Sequence, residues 1–429
     1  MKIENGKLKK YKLGEIATIQ TGPFGSQLHN EDYVLEGTPI VTVEHLGNKY
    51  FTTQNLPLVS TEDKERLKKY LLKENDIVFS RVGSVDRCSF VSEKENGWLF
   101  SGRCLRVRPN KEFVNPQWLY YFFTQQYFKD YVRSKAVGCT MPSLNTELLS
   151  DLVITTRPLE SQQKIAAVLS SLDDKIALNR RMNAKLEQMA KRLYDHWFVQ
   201  FDFPFDFAQG KPNADGKPYK ASGGKMVWNE TLKREIPEGW EVKKLGDVCE
   251  IVLGGTPSTA NNEFWDNGTI SWLNSGEVGI FPIVESEKRI TEIAVEKSTT
   301  EFLKAGSVTL SITRYLRPSI LAIDACINQS VVGIKENDLF KNCFLYPYLQ
   351  NEIDRLMSLR TGAQQPHINK EIVEDSFINI PPKELMEKYE KKVTPIYLQI
   401  INIAKETQKL TVLRDRLLPL LMNGQVEVR

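Results

Sequence analysis

Two stretches of the chain carry short apolar runs broken by Gly, Asn and Asp, and each is followed by a long stripe of apolar residues at helical spacing. In the first stretch, Asp76-Ile77-Val78-Phe79-Ser80 and Leu105-Arg106-Val107-Arg108 are rich in β-formers, bounded by turn residues, and predict strands. Their counterparts in the second are Ser307-Val308-Thr309-Leu310-Ser311 and Val331-Val332-Gly333-Ile334. Each stretch also predicts one helix, from Pro116 to about Tyr131 and from Tyr346 to about Leu359. Asn115 supplies an N-cap for the first, with Pro116 in the first helical position, where its missing N–H costs nothing. A mixed α+β domain dominated by strands is expected for each stretch.

The pattern changes after Pro158. Ile165, Leu169, Leu172, Ile176, Asn179, Asn183, Leu186, Ala190, Leu193 and Trp197 recur at alternating steps of four and three, which is a heptad seam. From Leu159 to Val199 such a helix would be a rod of roughly 60 Å. A second, less regular seam runs through Tyr389, Val393, Ile396, Ile400, Ile403, Thr407, Leu410, Arg414, Leu417 and Leu421. Neither apolar stripe can stay in water, and packing the two helices as an antiparallel pair buries both. Asn179 and Asn183 would be costly on that seam unless paired, and are candidates for fixing register. Pro395 removes a hydrogen bond to Lys391, so the second helix should start late or kink there. A plain helical hairpin supporting the core would explain either stripe alone.

The chain repeats itself. Lys12-Leu13-Gly14-Glu15-Ile16 returns as Lys244-Leu245-Gly246-Asp247-Val248, each copy followed by a glycine loop, Thr21-Gly22-Pro23 and Gly254-Gly255-Thr256-Pro257. Gly138-Cys139-Thr140-Met141-Pro142-Ser143-Leu144-Asn145 returns as Gly362-Ala363-Gln364-Gln365-Pro366-His367-Ile368-Asn369. The first pair lies 232 residues apart and the second 224, so the frame has held while loop lengths diverged. The expected fold is therefore α+β: two similar mixed domains and two long antiparallel coiled-coil helices, related by a pseudo-twofold internal repeat. Phe201 to Glu235 is rich in Gly, Pro, Asn, Asp and Lys and reads as an exposed link with little core of its own.

Composition narrows the classes. The chain has 429 residues, 41% of them hydrophobic, enough for two or three domains. A formal net charge of +3 supplies no long-range pull on nucleic acid, so any such contact must come from local basic patches. No apolar run reaches the length of a membrane span and Met1-Lys2-Ile3-Glu4-Asn5-Gly6 lacks a hydrophobic signal region, so no membrane association and a cytoplasmic location are expected. Six cysteines form no CxxC pair and four histidines no ligand spacing, so reduced thiols and no metal are expected.

Several short motifs carry a family resemblance. Gly216-Lys217-Pro218-Tyr219-Lys220-Ala221-Ser222-Gly223-Gly224-Lys225-Met226-Val227, followed by Ile236-Pro237-Glu238-Gly239-Trp240, resembles the link before the second recognition domain in specificity subunits of Type I restriction-modification enzymes. Trp197-Phe198, Cys326-Ile327-Asn328-Gln329-Ser330 and the two Pro-x-Leu/Ile-Asn turns are similar to that family too. The similarity covers essentially the whole chain in the family's order. It departs at Leu385-Met386-Glu387, where the first copy has Ser161-Gln162-Gln163. The resemblance implies target-recognition domains over 1–157 and 237–382, spacer helices over 158–200 and 383–429, and a connector over 201–236. It implies that each recognition domain reads one half of a split double-stranded DNA target through the major groove while the helices span the unread spacer. It implies further that the helices dock two methyltransferase (M) subunits, with Ile165, Leu169, Leu172, Ile176, Asn179, Asn183, Leu186, Leu193, Ile400, Ile403, Leu410 and Leu417 as seam or docking positions. Motor-nuclease (R) subunits would join for cleavage, and S-adenosylmethionine, ATP and Mg would sit on those partners, with no cofactor in this chain.

Base reading needs groups such as Arg for guanine or Gln and Asn for adenine, and phosphate grip needs Lys or Arg. In the first copy the loop Ser80-Arg81-Val82-Gly83-Ser84-Val85-Asp86-Arg87 offers Arg81, Ser84 and Arg87, and the following run offers Arg103, Arg106 and Arg108. The second offers Arg314, Tyr315, Arg317, Gln329, Gln364 and Gln365. Arg81 and Arg314 rank first, because each follows a predicted strand inside a Gly- or Pro-containing loop; the alternative for any one arginine is a solvated charge or an internal ion pair. The Pro142-Ser143-Leu144-Asn145 segment and its mate read as turns.

An enzyme is the rival class. Asn115-Pro116-Gln117-Trp118 is only distantly similar to the Asn-Pro-Pro-aromatic loop of amino-methyltransferases, and a helix cap accounts for it. No GxGxxG, GxxxxGK[ST] or HExxH motif is present. Asp173-Asp174 falls on a predicted solvent face of the first rod. A protein-binding scaffold would explain the helices but not the two diverged domains.

Overall fold

In the computed structural model, the structure describes residues 8–24, 27–138, 140–213, 215–362 and 366–428. By compactness the chain divides into one unit of Met1–Ile176 with Leu410–Arg429 and another of Ala177–Lys409, so each unit takes in part of both long helices.

The first unit is built on a four-stranded antiparallel sheet whose strands lie in the order Ala17–Thr21, Cys104–Pro109, Ile77–Ser80, Cys88–Phe90. A second sheet contains Thr38–Val41 paired in parallel with Leu99–Phe100, and Lys9–Lys12 pairs antiparallel with Val153–Thr156. The helix Pro116–Thr124 packs its aromatic face on the first sheet, with Phe79 and Phe123 edge to face at 4.8 Å. Asn115 caps it as expected, accepting the Trp118 N–H at 2.9 Å. The helix stops earlier than its periodicity suggests. Gln125 is extended (φ −66°, ψ 139°), its Nε2 donates to the Phe122 carbonyl at 3.3 Å, and a separate helix runs over Gln126–Lys135.

The second unit repeats this plan. Ile251–Leu253, Val331–Ile334, Val308–Ser311 and Arg317–Ile320 form the antiparallel sheet in the equivalent order. Ile270–Leu273 and Ala325–Ile327 form the parallel pair, and Glu241–Lys244 pairs with Phe377–Ile380. The helix here is Asn342–Ser358, starting four residues ahead of the expected Tyr346 and carrying Pro347 inside it. Pro347 cannot bond the Cys343 carbonyl; the Tyr389 hydroxyl donates to that oxygen instead, at 3.2 Å, so the proline is tolerated.

The first long helix spans Leu159–Tyr194 and the second Lys383–Asn423. Each unit shows them antiparallel: Arg157 Nε donates to the Met422 carbonyl and Arg414 pairs with Asp173 in the first, while Asn179 meets Glu406 and Asn183 meets Ile400 in the second. The seam positions are covered. Ile165, Leu169, Ile176, Asn179, Ala190 and Trp197 are buried, and Leu172, Asn183, Leu186 and Leu193 are half-buried. On the second helix Ile400 and Ile403 are buried, with Leu410 and Leu417 half-buried. Of the two outcomes expected at Pro395, the late start is not found: the helix begins at Lys383 and is continuous through Pro395. Burial of Tyr389, Val393, Tyr397 and Ile400 on either side, each side chain worth about 1.5–3 kcal/mol, outweighs the ~3 kcal/mol cost of the proline.

The segment read as a coreless link is a correction. Phe201, Phe203 and Tyr219 are buried in the core of the second unit, and the Phe203 ring stacks on Tyr219 at 4.7 Å and on Trp240 at 5.5 Å. Strands Pro204–Asp206, Lys211–Pro212 and Lys217–Pro218 form a small sheet, and Met226–Asn229 pairs with Arg234–Pro237. Its turn-rich composition is real, but four phenylalanines at alternate positions from Phe201 to Phe207 give one strand face enough apolar area to pack.

Candidate DNA interface

In each unit one end of the antiparallel sheet gathers the loops that carry the candidate residues. In the first, the loop after Thr21, the loop before Cys104, the loop after Ser80 and the turn around Pro142 meet there: Arg81 N donates to the Arg103 carbonyl at 2.8 Å, Gly83 N to Pro142 at 2.8 Å, and Leu144 N to Arg81 at 2.8 Å. In the second, Gly255 N donates to the Ile327 carbonyl at 2.9 Å, Ile312 N to Ser330 at 3.0 Å, and Arg314 N to Pro366 at 3.0 Å. Gly22 and Gly254 close both rims alike, since a Cβ on either would fall 2.2 Å from the carbonyl oxygen of Ser101 or Ile327. The Pro-x-Leu/Ile-Asn segments end in helix caps, with Asn145 accepting from Leu148 N and Asn369 from Ile372 N.

The rim separates the candidate arginines of the first unit. Arg103 and Ser84 are exposed. Arg81 is half-buried, its guanidinium 4.8 Å from the Phe24 ring and one N–H donated to the Gly102 carbonyl at 3.1 Å. Arg87 turns inward and donates to the Leu46 carbonyl. Arg106 lies inside the domain at 6% exposure, donating to Lys69 and Leu71 carbonyls and to Gln20, and burial with the neighbouring Arg108 brings its pKa down to about 10. Arg108 is held by both oxygens of Asp76 at 2.7 Å. Arg106 and Arg108 therefore brace strands rather than face the rim, because their strand positions point into the space under the segment Lys69–Leu71.

In the second unit the candidates face outward. Arg314 sits at φ 59° and is exposed, Tyr315 is 64% exposed, and Arg317 is exposed with its guanidinium 5.4 Å from the Tyr315 ring. Gln329 is exposed and accepts a hydrogen bond from the Thr256 hydroxyl across the rim. Gln364 and Gln365 lie outside the described residues. Sequence reasoning missed Phe24 and Thr256; both sit in the glycine loops that the repeat had already marked.

Of the pair expected on a solvent face, Asp174 is exposed but Asp173 is not. Asp173 is 7% exposed, accepting the Tyr121 hydroxyl at 2.6 Å and Arg414 at 2.8 Å. Asp174 accepts Lys49 at 3.0 Å and the Tyr50 hydroxyl at 2.6 Å, and burial together with that carboxylate raises the Tyr50 pKa. A heptad wheel cannot show this, because the domain in front of the helix covers positions that a bare two-helix seam leaves wet. In the second unit Glu187 plays a related part, accepting the Tyr346 hydroxyl at 2.6 Å and Gln350 at 2.9 Å.

Among the described residues no group of three or more His, Cys, Asp and Glu side chains is placed to hold a metal, and no helix is long and apolar enough to cross a membrane. The five described cysteines are free and buried; Cys139 lies outside the described residues.

Two equivalent rims of loops carrying arginine, aromatic and glycine residues mark a protein built from one duplicated frame. The chain belongs to the family of the Type I restriction modification DNA specificity domain, whose model matches residues 5–188 and again 237–412. It is 29% identical over 332 residues to the Type I restriction enzyme MjaIX specificity subunit of Methanocaldococcus jannaschii, covering 74% of this chain and 71% of that one. It is 26% identical over 466 residues to the Type I restriction enzyme HindI specificity subunit of Haemophilus influenzae, covering 97% and 99%. The crystal structure of a Type I restriction-modification S subunit from M. genitalium shares the fold, with a TM-score of 0.60 at 15% identity over 98% of this chain and 97% of that one.

Proposed function

We propose that this chain is the non-catalytic, sequence-reading part of a Type I restriction-modification complex, with residues 1–157 and 237–382 each reading one half of a bipartite double-stranded DNA target. The observation that carries the reading is the repeated rim: the same four loops converge at the same end of the same sheet in both units, but with different side chains. Equivalent frames with unlike tips suit two readers of two different half-sites. Arg103 and Arg81 are the leading base or phosphate contacts in the first, and Arg314, Arg317 and Gln329 in the second.

The long helices set the spacer and dock two methyltransferase subunits. Helices of 36 and 41 residues are about 54 and 60 Å long, which exceeds the roughly 34 Å between half-sites one DNA turn apart. Leu178, Met189, Leu398, Val412 and Leu413 are exposed on them, and exposed aliphatics on a polar helix face are the chemistry of a partner contact. S-adenosylmethionine, ATP and Mg belong to the methyltransferase and motor-nuclease partners in this reading. Sequencing the methylated positions in cells carrying the complete system tests it: two short motifs separated by a fixed unread gap support it, and one contiguous motif overturns it.

A further inference from the structure

The repeat sets a glycine against an arginine in both units. Gly47 and Gly279 are 232 residues apart, the same interval that separates Gly14 from Gly246. A Cβ on Gly47 would fall 2.8 Å from Arg87 Nε, and one on Gly279 would fall 3.0 Å from Arg317 Nη1. Both arginines stand at the same strand end, just before Cys88–Phe90 and at the start of Arg317–Ile320. The two seats are used differently. In the first unit the guanidinium is closed off by its hydrogen bond to the Leu46 carbonyl. In the second, the Arg317 guanidinium is exposed and makes no hydrogen bond or ion pair among the described residues, yet it lies against the Gly279 backbone and 5.4 Å from the Tyr315 ring.

We propose that Arg317 reads a guanine in the half-site facing residues 237–382, with Tyr315 and Gly279 as its positioning residues. This rests on the reading of the second rim as a DNA surface. A guanidinium resting on a glycine backbone beside a ring has less rotamer freedom to lose on binding than a loose arginine, which favours a planar fork aimed before DNA arrives. Among base edges in the major groove, guanine alone offers two adjacent acceptors, O6 and N7, matched to that fork. A phosphate would accept the fork as well, but it would set charged oxygens against the apolar face of Tyr315, whereas a groove floor presents base edges and thymine methyls to that ring.

The test uses the complex of this chain with its methyltransferase partners, on DNA carrying the target motif and single-base variants. Arg317→Ala should lower methylation of the target by about tenfold or more and remove discrimination at one G·C pair, in one half-site only. Replacing that guanine by 7-deazaguanine, which lacks the N7 acceptor, should penalise the unaltered complex and cost the Arg317→Ala complex nothing further. Tyr315→Ala should lose part of the same discrimination, Tyr315→Phe none, and Arg317→Lys should not restore it. Both side chains are exposed, and an unchanged melting curve checks that the fold is intact. Loss that is uniform across all sequences, with a shallower salt dependence, would make Arg317 a phosphate grip and overturn the proposal. So would no loss, or a half-site without a G·C pair. An unaltered complex that methylates a contiguous motif would instead bring down the underlying reading of two half-site readers.

Discussion

Tyr121 donates its hydroxyl hydrogen to Asp173 across 2.6 Å, and the same carboxylate accepts Arg414 at 2.8 Å. One buried acid therefore ties a recognition-domain helix and both long helices together inside the first unit. Replacing it leaves the phenol without its acceptor and the guanidinium with Asp415 as its remaining partner. Asp173→Ala should cost about 2–3 kcal/mol, below the 3–5 kcal/mol of a fully buried pair because the Arg414 side chain is 27% exposed. Urea denaturation checks this, and a change below about 0.5 kcal/mol would mean the pair is merely incidental.

Asn179 shows the opposite balance. It is 1% exposed, its Nδ2 bonds Glu406 at 2.7 Å, and its Oδ1 is buried without a partner. Asn179→Leu should leave stability unchanged or raise it by about 1 kcal/mol, since a well-packed apolar residue replaces a half-satisfied amide. The asparagine's contribution is then to register, and a lower melting temperature for the variant would argue that the amide stabilises outright.

Arg106 and Arg317 should separate cleanly in experiment. Arg106→Ala strands the acceptors at Lys69, Leu71 and Gln20 and should destabilise the first unit by about 1–3 kcal/mol. It should change no base preference in a methylation assay on single-base variants. A relaxed base position in that assay would return Arg106 to the DNA surface.

The segment after the first long helix should be structural. Phe203 is 2% exposed between Tyr219 and Trp240, and Phe203→Ala should cost about 3 kcal/mol. Urea denaturation of the variant beside the parent measures the loss. A variant as stable as the parent would restore the picture of a passive link.

Much of the frame was legible because duplication marks it twice. Ile77–Ser80 and Val308–Ser311 share a pattern, as do the caps at Asn145 and Asn369, so each copy corroborates the other. The seam was legible because its period is long and regular. What escaped reading was context. The alternating Phe201, Phe203, Phe205 and Phe207 were hidden by the Gly- and Pro-rich residues around them, although period two was there to find. Asp173 is one step off the seam, and nothing local says that Tyr121 covers it. At Pro347 a local preference is offset by a hydrogen bond from Tyr389 that no window of sequence contains, while the helix break at Gln125 comes with a bond to the Phe122 carbonyl that periodicity does not reveal. Arg87 and Arg106, offered as candidates, turn inward for a similar reason: whether an arginine points into a carbonyl cluster or out toward solvent is decided by its strand partners, not by its neighbours in the chain.

The division of labour between the two copies is tested most directly by exchanging residues 1–157 for the corresponding part of another family member and mapping the methylated motif of the complete complex. One half of the motif should change, while the other half and the gap between them stay as they were. A motif altered in both halves, or in neither, would contradict independent reading by two separately built rims.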